Sequence, residues 1–578
     1  MEIFLLLSLV FAPLAFASVE PWALAILQIS AFSAVVFLLK RPRPLYDAST
    51  NKNLLLSILA VAFLGLCQAI SENSINAPSM LIFTTWRPAT LNAVLLWFLY
   101  AAALFYVPQI IKTPGQLKRL MWAVFGMGVF ISLFGMLQKT GENTMVYGLR
   151  LVKGEPFGPY VNRDHAALFL IMSAMAGAGI FFSGFRNLFV HQSRKRFFDL
   201  AAIQFLKAVM LCAVVYGVIK TGSRGGLHSL VVAAAVMAFI STSFMKLKVY
   251  RYAARVFIVL FIAGYGVLLY NNRMLLGFYN GVLVNSVTVR FSMYKSGLEM
   301  FKDFPLFGSG LGAVEHGFPY YQRQSWGLVR HVHSDWLELF LQIGLVGGFI
   351  YLAGLVVALR KFFRIWTKCP SFTVKSLYGG GLGAVLAASL HNLVEFGSQM
   401  PANALFFYVL IGGLASKPAA ESGKFRYDSE TEEEDTPLKR YIALPAAAAA
   451  CVMMFFTIPS VIGWWYNFRS KGVSYEKKVI YRASALDWEP SPRYAFRLGA
   501  DYYNQALKNR SEAYELFNKS MQTIEPYLRR VPVNSDLTLL KNNLLYQLAA
   551  QPPSRPAVPL PRRPAVPPSR RPFNRSNP

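Results

Sequence analysis

A glycine-rich segment around Arg224 has the composition of an anion site. Residues 221–226 are Thr-Gly-Ser-Arg-Gly-Gly, and an apolar helix is predicted to begin near residue 227. Glycines such as Gly222 permit tight turns and expose backbone N–H groups, with Ser223 as a further polar group. Arg224 carries a planar guanidinium that matches phosphate oxygens, and a helix N-terminus adds positive charge. The alternative is a helix hairpin whose arginine reaches the lipid headgroups.

A second cation, Arg290, opens a segment with helical periodicity at 290–301, ahead of the glycine-rich turn at 308–312. Its guanidinium can serve as a second positive charge for a diphosphate. The alternative is a salt bridge to Glu299 or to another surface carboxylate. The two alternatives have similar support from the sequence.

Residues 331–335, His-Val-His-Ser-Asp, stand directly before another predicted apolar helix. Ser334 or Asp335 is a natural N-cap, and Glu338 lies three residues after Asp335, as in a capping box. The positive helix end disfavours an imidazolium and would keep His333 neutral, as a general base must be. A metal site that uses His331 together with His333 is a second interpretation, although no third ligand is clearly spaced. A plain capping or interfacial histidine is the third.

Two further segments are less decisive. Asn162 and Arg163 lie just before a predicted helix that begins near residue 164. His391 and Glu395 lie at the outer end of another predicted membrane span. Because ionisable groups are costly inside a membrane, we expect this pair to face a cavity or each other.

The composition excludes an ordinary soluble protein. Of 578 residues, 54% are hydrophobic and only 15% are charged, whereas soluble proteins have about 25% charged residues. The net charge of +29 comes from short Lys/Arg clusters between apolar runs, not from the basic domain or stripe that nucleic-acid binding requires. The four cysteines have no paired spacing that suggests disulfides or zinc. The sequence therefore predicts an all-α, polytopic membrane protein.

About thirteen apolar runs are long enough to be candidate membrane spans. The first could be a signal peptide, but Glu2 replaces the usual positive start and a second apolar run follows at once. We therefore interpret it as a first transmembrane helix. The predicted spans are 3–18, 21–39, 54–70, 89–111, 119–138, 164–183, 203–219, 227–245, 254–270, 336–359, 376–394, 402–416 and 441–465.

Every second connection between these spans is rich in Lys and Arg, which predicts a cytoplasmic N-terminus. The connection at 271–335 is then a large external loop, and the acidic segment at 417–440 is a cytoplasmic loop. Residues 1–465 form the predicted membrane domain. Residues 466–550 form an external helical region that resembles one or two tetratricopeptide repeats or a few amphipathic helices. The Pro/Arg-rich tail at 551–578 is predicted to be disordered.

Taken together, these motifs resemble the O-antigen ligase/polymerase family of bacterial membrane glycosyltransferases. The resemblance covers roughly residues 150–415 and rests on 221–226, 308–312, 333–347 and 157–165, in that arrangement along the chain. The family often has Asn after the loop histidine, where this chain has Ser334. Either residue can cap a helix, so this departure changes little.

The resemblance implies a metal-independent enzyme without cofactors. It would transfer a glycan from a polyprenyl-diphosphate-linked donor to a saccharide or lipid A-core acceptor. Arg224 and Arg290 would hold the diphosphate, and His333 would be the catalytic base. Gly222, Ser223, Asn162, Arg163, His331, Asp335 and His391 would support the site. Membrane lipids and polysaccharide-assembly proteins would be further partners, and the location would be the bacterial inner membrane with the active site and C-terminus in the periplasm.

Two functions from other classes remain open at this point. A transporter or flippase of lipid-linked glycan would place cations along the path through the membrane, whereas the distinctive cations here gather at one face. A structural or assembly protein is supported only by the repeat-like region at 466–550. The sequence does not distinguish a polymerase from a ligase or a protein glycosyltransferase.

Overall fold

The computed structural model describes most of the chain and shows an all-α protein with one short β-hairpin. It describes all residues except 40–50, 74, 76–78, 142–144, 149, 153, 190–192, 272–281, 323–328, 417–454, 456, 510, 531–534 and 550–578. The basic cluster at 40–43, the acidic loop at 417–440 and the tail at 551–578 therefore lie outside the described residues. The hairpin pairs β1 (Met145–Val146) with β2 (Arg150–Leu151) in antiparallel fashion.

Among the described residues before 417, thirteen helices have more than ten residues. They are α1 (Glu2–Leu14), α2 (Pro21–Leu39), α3 (Lys52–Ile70), α4 (Arg87–Ile110), α5 (Pro114–Thr140), α6 (Arg163–Phe185), α7 (Arg194–Thr221), α8 (Arg224–Ser241), α9 (Lys248–Asn271), α10 (Val282–Asp303), α11 (Asp335–Lys368), α12 (Phe372–His391) and α13 (Pro401–Leu414). Short helical turns also occur, among them Val314–Gly317.

Nine of the helices in the described part of the chain are long and apolar enough to cross a membrane. The polytopic membrane fold predicted from hydropathy is therefore confirmed. Fewer helices pass this test than the roughly thirteen spans predicted. The apolar helices α1 and α13 have only 13 and 14 residues, below the roughly 17 that a span needs. The glycine-rich α12 is less apolar, and residues 441–454, where the thirteenth span begins, are not described.

The centre of the bundle is formed by α6, α12 and α13. Small residues let α6 and α12 approach closely, because a Cβ on Gly179 would lie 3.0 Å from the Cα of Gly380. Such close backbone approach is the usual way in which helices associate in a membrane. Every residue of α13 is buried. The connection from α12 to α13, residues 392–400, is thus anchored by buried helices at both ends.

One helix of the bundle is broken. Within α11, Gly344 has φ 63° and ψ −166°, which no helical residue adopts. The backbone groups freed by this break find partners in the glycine-rich turn after α10. Ser309 and Gly310 donate their N–H groups to the carbonyls of Leu341 and Gln342, at 2.9 and 3.2 Å. Because unpaired backbone groups are costly in a membrane, this turn is part of the scaffold.

We expect Gly344→Ala to lower the thermal stability of the protein. An added Cβ would lie 2.2 Å from the carbonyl oxygen of Leu306, and the backbone conformation at φ 63° disfavours any L side chain. Such strain costs about 1–3 kcal/mol, which unfolding followed by tryptophan fluorescence in detergent would detect. Gly126→Ala is the matched control, because nothing lies within 4 Å of its added Cβ. Equal melting temperatures for the two variants would contradict the strained break.

The C-terminal region is helical, as the composition predicts. Residues 457–469 form α14, followed by α15 (Tyr475–Trp488), α16 (Pro492–Lys508), α17 (Ala513–Arg530) and α18 (Ser535–Ala549). The last three share a small apolar core that includes Phe517 and Ile524. The Ser520 hydroxyl also donates to the carbonyl of Gly499 at 2.7 Å, which joins α17 to α16. Consecutive antiparallel helices suit either earlier interpretation, so the tetratricopeptide assignment stays a prediction.

This region contacts the bundle through α14 and through α17. Trp464 donates its indole N–H to Glu20 at 2.9 Å, beside the turn between α1 and α2. Glu20 also pairs with Arg150 of the β-hairpin at 2.6 Å. On α17, Tyr527 packs against Trp86 and Ala313. The C-terminal helices therefore rest on the end of the bundle at which α4 begins.

Candidate active site

The connection between α12 and α13 places a buried carboxylate, Glu395, between two of the predicted site residues. Its side chain is 2% exposed. One carboxylate oxygen accepts a hydrogen bond from Nη2 of Arg290, and the other lies 3.2 Å from Nδ1 of His333. Arg290 is 105 residues and His333 is 62 residues from Glu395 along the chain, and both contact its carboxylate.

Arg290 on α10 thus forms a salt bridge, as one alternative from the sequence allowed, but its partner is the buried Glu395. A guanidinium has five N–H donors, so one carboxylate does not saturate it. The Arg290 side chain is 30% exposed, which leaves part of it accessible to a ligand. The salt bridge fixes the position of Arg290 without removing its capacity to bind an anion.

Glu395 is held in its ionised form. Burial raises the pKa of its carboxyl, but the hydrogen bond with His333 and the charge of Arg290 outweigh burial, so the net pKa lies below the ordinary value. A carboxylate that accepts at Nδ1 of a histidine orients the ring and leaves Nε2 to carry the lone pair when the ring is neutral. His333 therefore has the partner that a general base requires.

The backbone of His333 is held in an unusual conformation. Its φ is +54°, which is uncommon for any residue other than glycine. The Tyr294 hydroxyl donates to its carbonyl at 3.0 Å. Next along the chain, Ser334 caps α11 by accepting from the N–H of Leu337 at 3.3 Å. The N–H of Asp335 donates to the carbonyl of Glu395 at 3.1 Å. These bonds fix the segment against both α10 and the 392–400 connection.

Phe396, which follows Glu395, is surrounded by three histidines. The rings of His333 and His165 meet it edge-on at 4.8 and 4.7 Å, and His331 stacks on it at 4.6 Å. The phenyl ring thus limits how far each imidazole can move. It contributes to the rigidity of the site without any chemistry of its own.

The other histidine of the His-X-His pair, His331, contacts a different carboxylate. His331 Nδ1 lies 2.8 Å from Glu338, which also accepts from the N–H of Val332 at 3.2 Å. Burial lowers the pKa of His331, but the charge and hydrogen bond of Glu338 outweigh it, so the net pKa is raised. Glu338 therefore serves His331 and does not complete a capping box with Asp335. Within the part of the chain that the structure describes, no group of three or more His, Cys, Asp or Glu could hold a metal ion.

Asp335 fastens the start of α11 to the same connection. Its carboxylate oxygens accept from the N–H of Ser398 at 2.8 Å and from the side chain of Gln399 at 3.0 Å. On the other side of this connection, Asn403 donates to the carbonyls of Gly397 and His165, at 3.0 Å each. The connection is thus tied to both α11 and α6.

The glycine-rich segment 221–226 lies against the α12 end. Gly222 has φ +72° and ends α7, and the Ser223 hydroxyl caps α8 by accepting from the N–H of Gly226 at 3.3 Å. Arg224 is half-buried and is the first residue of α8. A Cβ on Gly225 would lie 3.7 Å from the ring of His391. The short loop between α7 and α8 therefore brings Arg224 to the neighbourhood of the Glu395 connection.

The entry to α6 lies beside this loop. Asn162 caps α6 by accepting from the N–H of Asp164 at 2.9 Å, and the side chain of Asp164 is hydrogen-bonded to Ser223. Arg163 pairs with Glu155. A Cβ on Gly222 would lie 3.6 Å from the Arg163 guanidinium. Asn162 and Arg163 thus shape the surroundings of the loop.

A comparison with known protein families matches part of this site. Residues 208–352 match the family model described as O-Antigen ligase, Wzy_C. This segment belongs to the O-antigen ligase family. No curated protein matches the chain. The match confirms the resemblance inferred from the motifs. It supports a role in cell-surface polysaccharide biosynthesis, and together with the apolar helices it indicates a multi-pass membrane protein.

The O-antigen ligase segment contains Arg224, Arg290 and His333, and it ends within α11. Glu395, which joins two of these residues, lies outside it. Glu395 is not among the site residues predicted from the sequence, which indicates only an ionisable side chain at the end of a span. It is the only charged residue between Lys375 and Lys417. A single carboxylate in so long an uncharged stretch is the signal that could have assigned it a role.

His391, a further residue predicted to support the site, also lies outside the matched segment. It is fully buried at the end of α12, and neither ring nitrogen has a hydrogen-bond partner among the described residues. The Glu395 carboxylate turns to Arg290 and His333, so the two ionisable groups at this span end are not paired with each other. His391 contacts the Arg224 loop through Gly225.

Proposed function

We propose that the protein transfers a glycan from a polyprenyl-diphosphate-linked donor to a sugar hydroxyl during cell-surface polysaccharide biosynthesis. The observation that supports this most is the pairing of His333 and Arg290 on one buried carboxylate, Glu395. It combines an oriented base with a cation at one site. A flippase needs cations along its path but has no use for an oriented base.

In the proposed reaction, His333 Nε2 accepts the proton of the acceptor hydroxyl as its oxygen attacks the anomeric carbon of the donor. The new glycosidic C–O bond forms while the bond between the anomeric carbon and the diphosphate oxygen breaks. The lipid-linked diphosphate leaves with the electron pair of that bond. Arg224 and Arg290 stabilise its negative charge, which is the electrostatic contribution that other glycosyltransferases obtain from a metal ion. Neither ATP nor a nucleotide sugar takes part.

The proposed setting is the bacterial inner membrane. The distribution of Lys and Arg supports a cytoplasmic N-terminus, with His333 and the C-terminal helices on the periplasmic side. The acceptor is a saccharide or a lipid A-core. The C-terminal helices, which rest on the bundle through Tyr527 and Trp464, are a place where polysaccharide-assembly proteins could dock.

The purified full-length protein tests this function directly. It would be incubated with lipid-linked glycan and acceptor, without ATP or added metal, with and without chelator. We expect transfer that is insensitive to the chelator. Movement of the donor across vesicles without any transfer would instead assign the protein to the flippase class. In a deletion strain, single-repeat products would indicate a lost polymerase, and unattached long polymer would indicate a lost ligase.

The proposed orientation in the membrane predicts which introduced cysteines can be labelled from outside. Cysteines introduced at Gly222 and Tyr320 should react with an impermeant maleimide added to intact spheroplasts. A cysteine at Glu430, in the acidic segment, should react only after lysis. Each variant would be built in a chain whose native cysteines are replaced by serine. Labelling at 430 but not at 320 would invert the proposed topology.

We expect Arg224→Lys and Arg290→Lys to reduce transfer by about tenfold or more. Lysine keeps the charge but loses the planar fork that can bind two oxygens at once. At position 290 the single ammonium would also have to serve Glu395 and the diphosphate together. Initial rates at saturating acceptor would measure the loss. Arg330→Lys is the matched control, because Arg330 pairs with Glu315 at 3.3 Å and its side chain is 61% exposed. Full activity of both variants would place diphosphate recognition elsewhere.

A further inference from the structure

A cavity of about 110 Å³ lies between α4, α11 and α13. Asp335, two residues after His333, is one of the residues that line it. One water occupies roughly 30 Å³ in the liquid, so this cavity accommodates more than a single water. Aromatic rings, among them Trp97, Trp336, Tyr351 and Tyr408, line it together with polar groups that include Asp335 and Asn392. The reaction proposed above assigns no role to this cavity.

The aromatic rings that line the cavity pack against one another. Trp97 meets Tyr351 edge-on at 5.5 Å, and the hydroxyls of Tyr351 and Tyr408 lie 3.0 Å apart. Trp336 is held by a hydrogen bond from its indole N–H to the carbonyl of Ser389 at 2.9 Å. Rings fixed in this way present rigid apolar surfaces at little conformational cost to a ligand.

The polar side chains that line the cavity offer hydrogen-bond acceptors to a ligand. Asn392 is 7% exposed and donates to the Ser398 hydroxyl at 2.7 Å, while its Oδ1 has no hydrogen-bond partner among the described residues. Each carboxylate oxygen of Asp335 accepts one hydrogen bond from the 392–400 connection and retains a further lone pair. Buried acceptors need donors. A ligand with hydroxyl groups and an apolar ring face satisfies both parts of the cavity.

We propose that this cavity binds one sugar ring of a glycan substrate, by stacking on Trp97 or Tyr351 and by donating hydroxyls to Asn392 and Asp335. The inference rests on the proposed function, which it deepens by locating a saccharide site. An isoprenyl chain would leave the buried acceptors without partners, which disfavours a lipid occupant. Asp335 follows His333 by two residues, so their Cα atoms lie within about 7 Å of each other.

Saturation-transfer NMR with the full-length protein in nanodiscs tests the site without any transfer reaction. The probes are methyl glycosides of glucose, galactose, N-acetylglucosamine and a heptose. We expect saturation of at least one glycoside by the wild type, reduced about three- to tenfold in Trp97→Leu, as expected for loss of an aromatic contact. Asn392→Leu should also reduce it. Trp97→Phe, which keeps a ring, and Trp122→Leu, outside the cavity, should retain it.

The outcomes separate this site from the proposed function. No saturation of any glycoside, or equal saturation in Trp97→Leu and Trp122→Leu, overturns the sugar site even if transfer is robust. Binding of geranylgeranyl diphosphate that is lost in Trp97→Leu, without glycoside binding, assigns the cavity to lipid and also overturns it. If glycosides bind but the wild type transfers no glycan, the proposed function fails and the site stands. In the transfer assay, a raised KM for the acceptor or for the donor in Trp97→Leu identifies which glycan supplies the ring.

Discussion

His333→Ala should bind the lipid-linked donor about as well as the wild type and transfer almost nothing. General base catalysis contributes roughly 10²–10⁴-fold, so the loss should appear in any product assay. Donor affinity should persist because the cations proposed to hold the diphosphate, Arg224 and Arg290, are unchanged. Donor binding to the purified variant and the initial rate of transfer are the two measurements. An active His333→Ala enzyme would remove the central residue of the mechanism.

The neighbouring histidine supplies the control for this experiment. His331 is bonded to Glu338 and not to Glu395, so His331→Ala should be milder if His333 alone carries the role. Equal losses at both positions would instead favour a metal site or a shared structural function. In the metal case a chelator should abolish wild-type activity and zinc should restore it. The two histidines thus distinguish base catalysis from metal binding within one pair of variants.

The positions of the membrane helices could be predicted because each depends on a local property of the chain. A membrane helix such as α6 can be recognised from about 20 consecutive, mostly apolar residues, whatever the helix packs against. Motif order was also sufficient to recognise the family. The roles of Arg224, Arg290 and His333 stay predictions. Ser334 was correctly offered as one of two N-caps, since the capping preference is equally local.

What the sequence did not predict depends on distant pairings. The break in α11 at Gly344 is stable only because residues 305–310 supply its missing hydrogen bonds. The sequence predicts a glycine-rich turn at 308–312 but not its role as a partner for the broken helix. Likewise, the partner of Arg290 lies 105 residues away. The sequence offered Glu299 or another surface carboxylate as the partner, but only the folded bundle brings Glu395 within reach.

Glu395→Gln should reduce transfer by about 10²-fold, although we assign Glu395 no contact with substrate. The amide keeps the size of the side chain but removes the charge that holds both His333 and Arg290. In hydrogen-bonded catalytic groups, loss of such an orienting carboxylate can cost up to roughly 10⁴-fold. Glu395→Asp, which restores the charge on a shorter side chain, should recover part of the activity. Glu299→Gln on α10 is the matched control and should stay close to wild type.

Thermal unfolding separates positioning from mere structural support. A residue that only supports the fold would lower the melting temperature together with the rate. Loss of the charge that orients His333 should instead lower the rate while the stability stays normal. Glu395→Gln would therefore be assayed for its initial rate of transfer alongside its thermal unfolding. A variant of normal stability with wild-type rate would show that Glu395 does not act through His333, and the salt bridge to Arg290 would then be structural only.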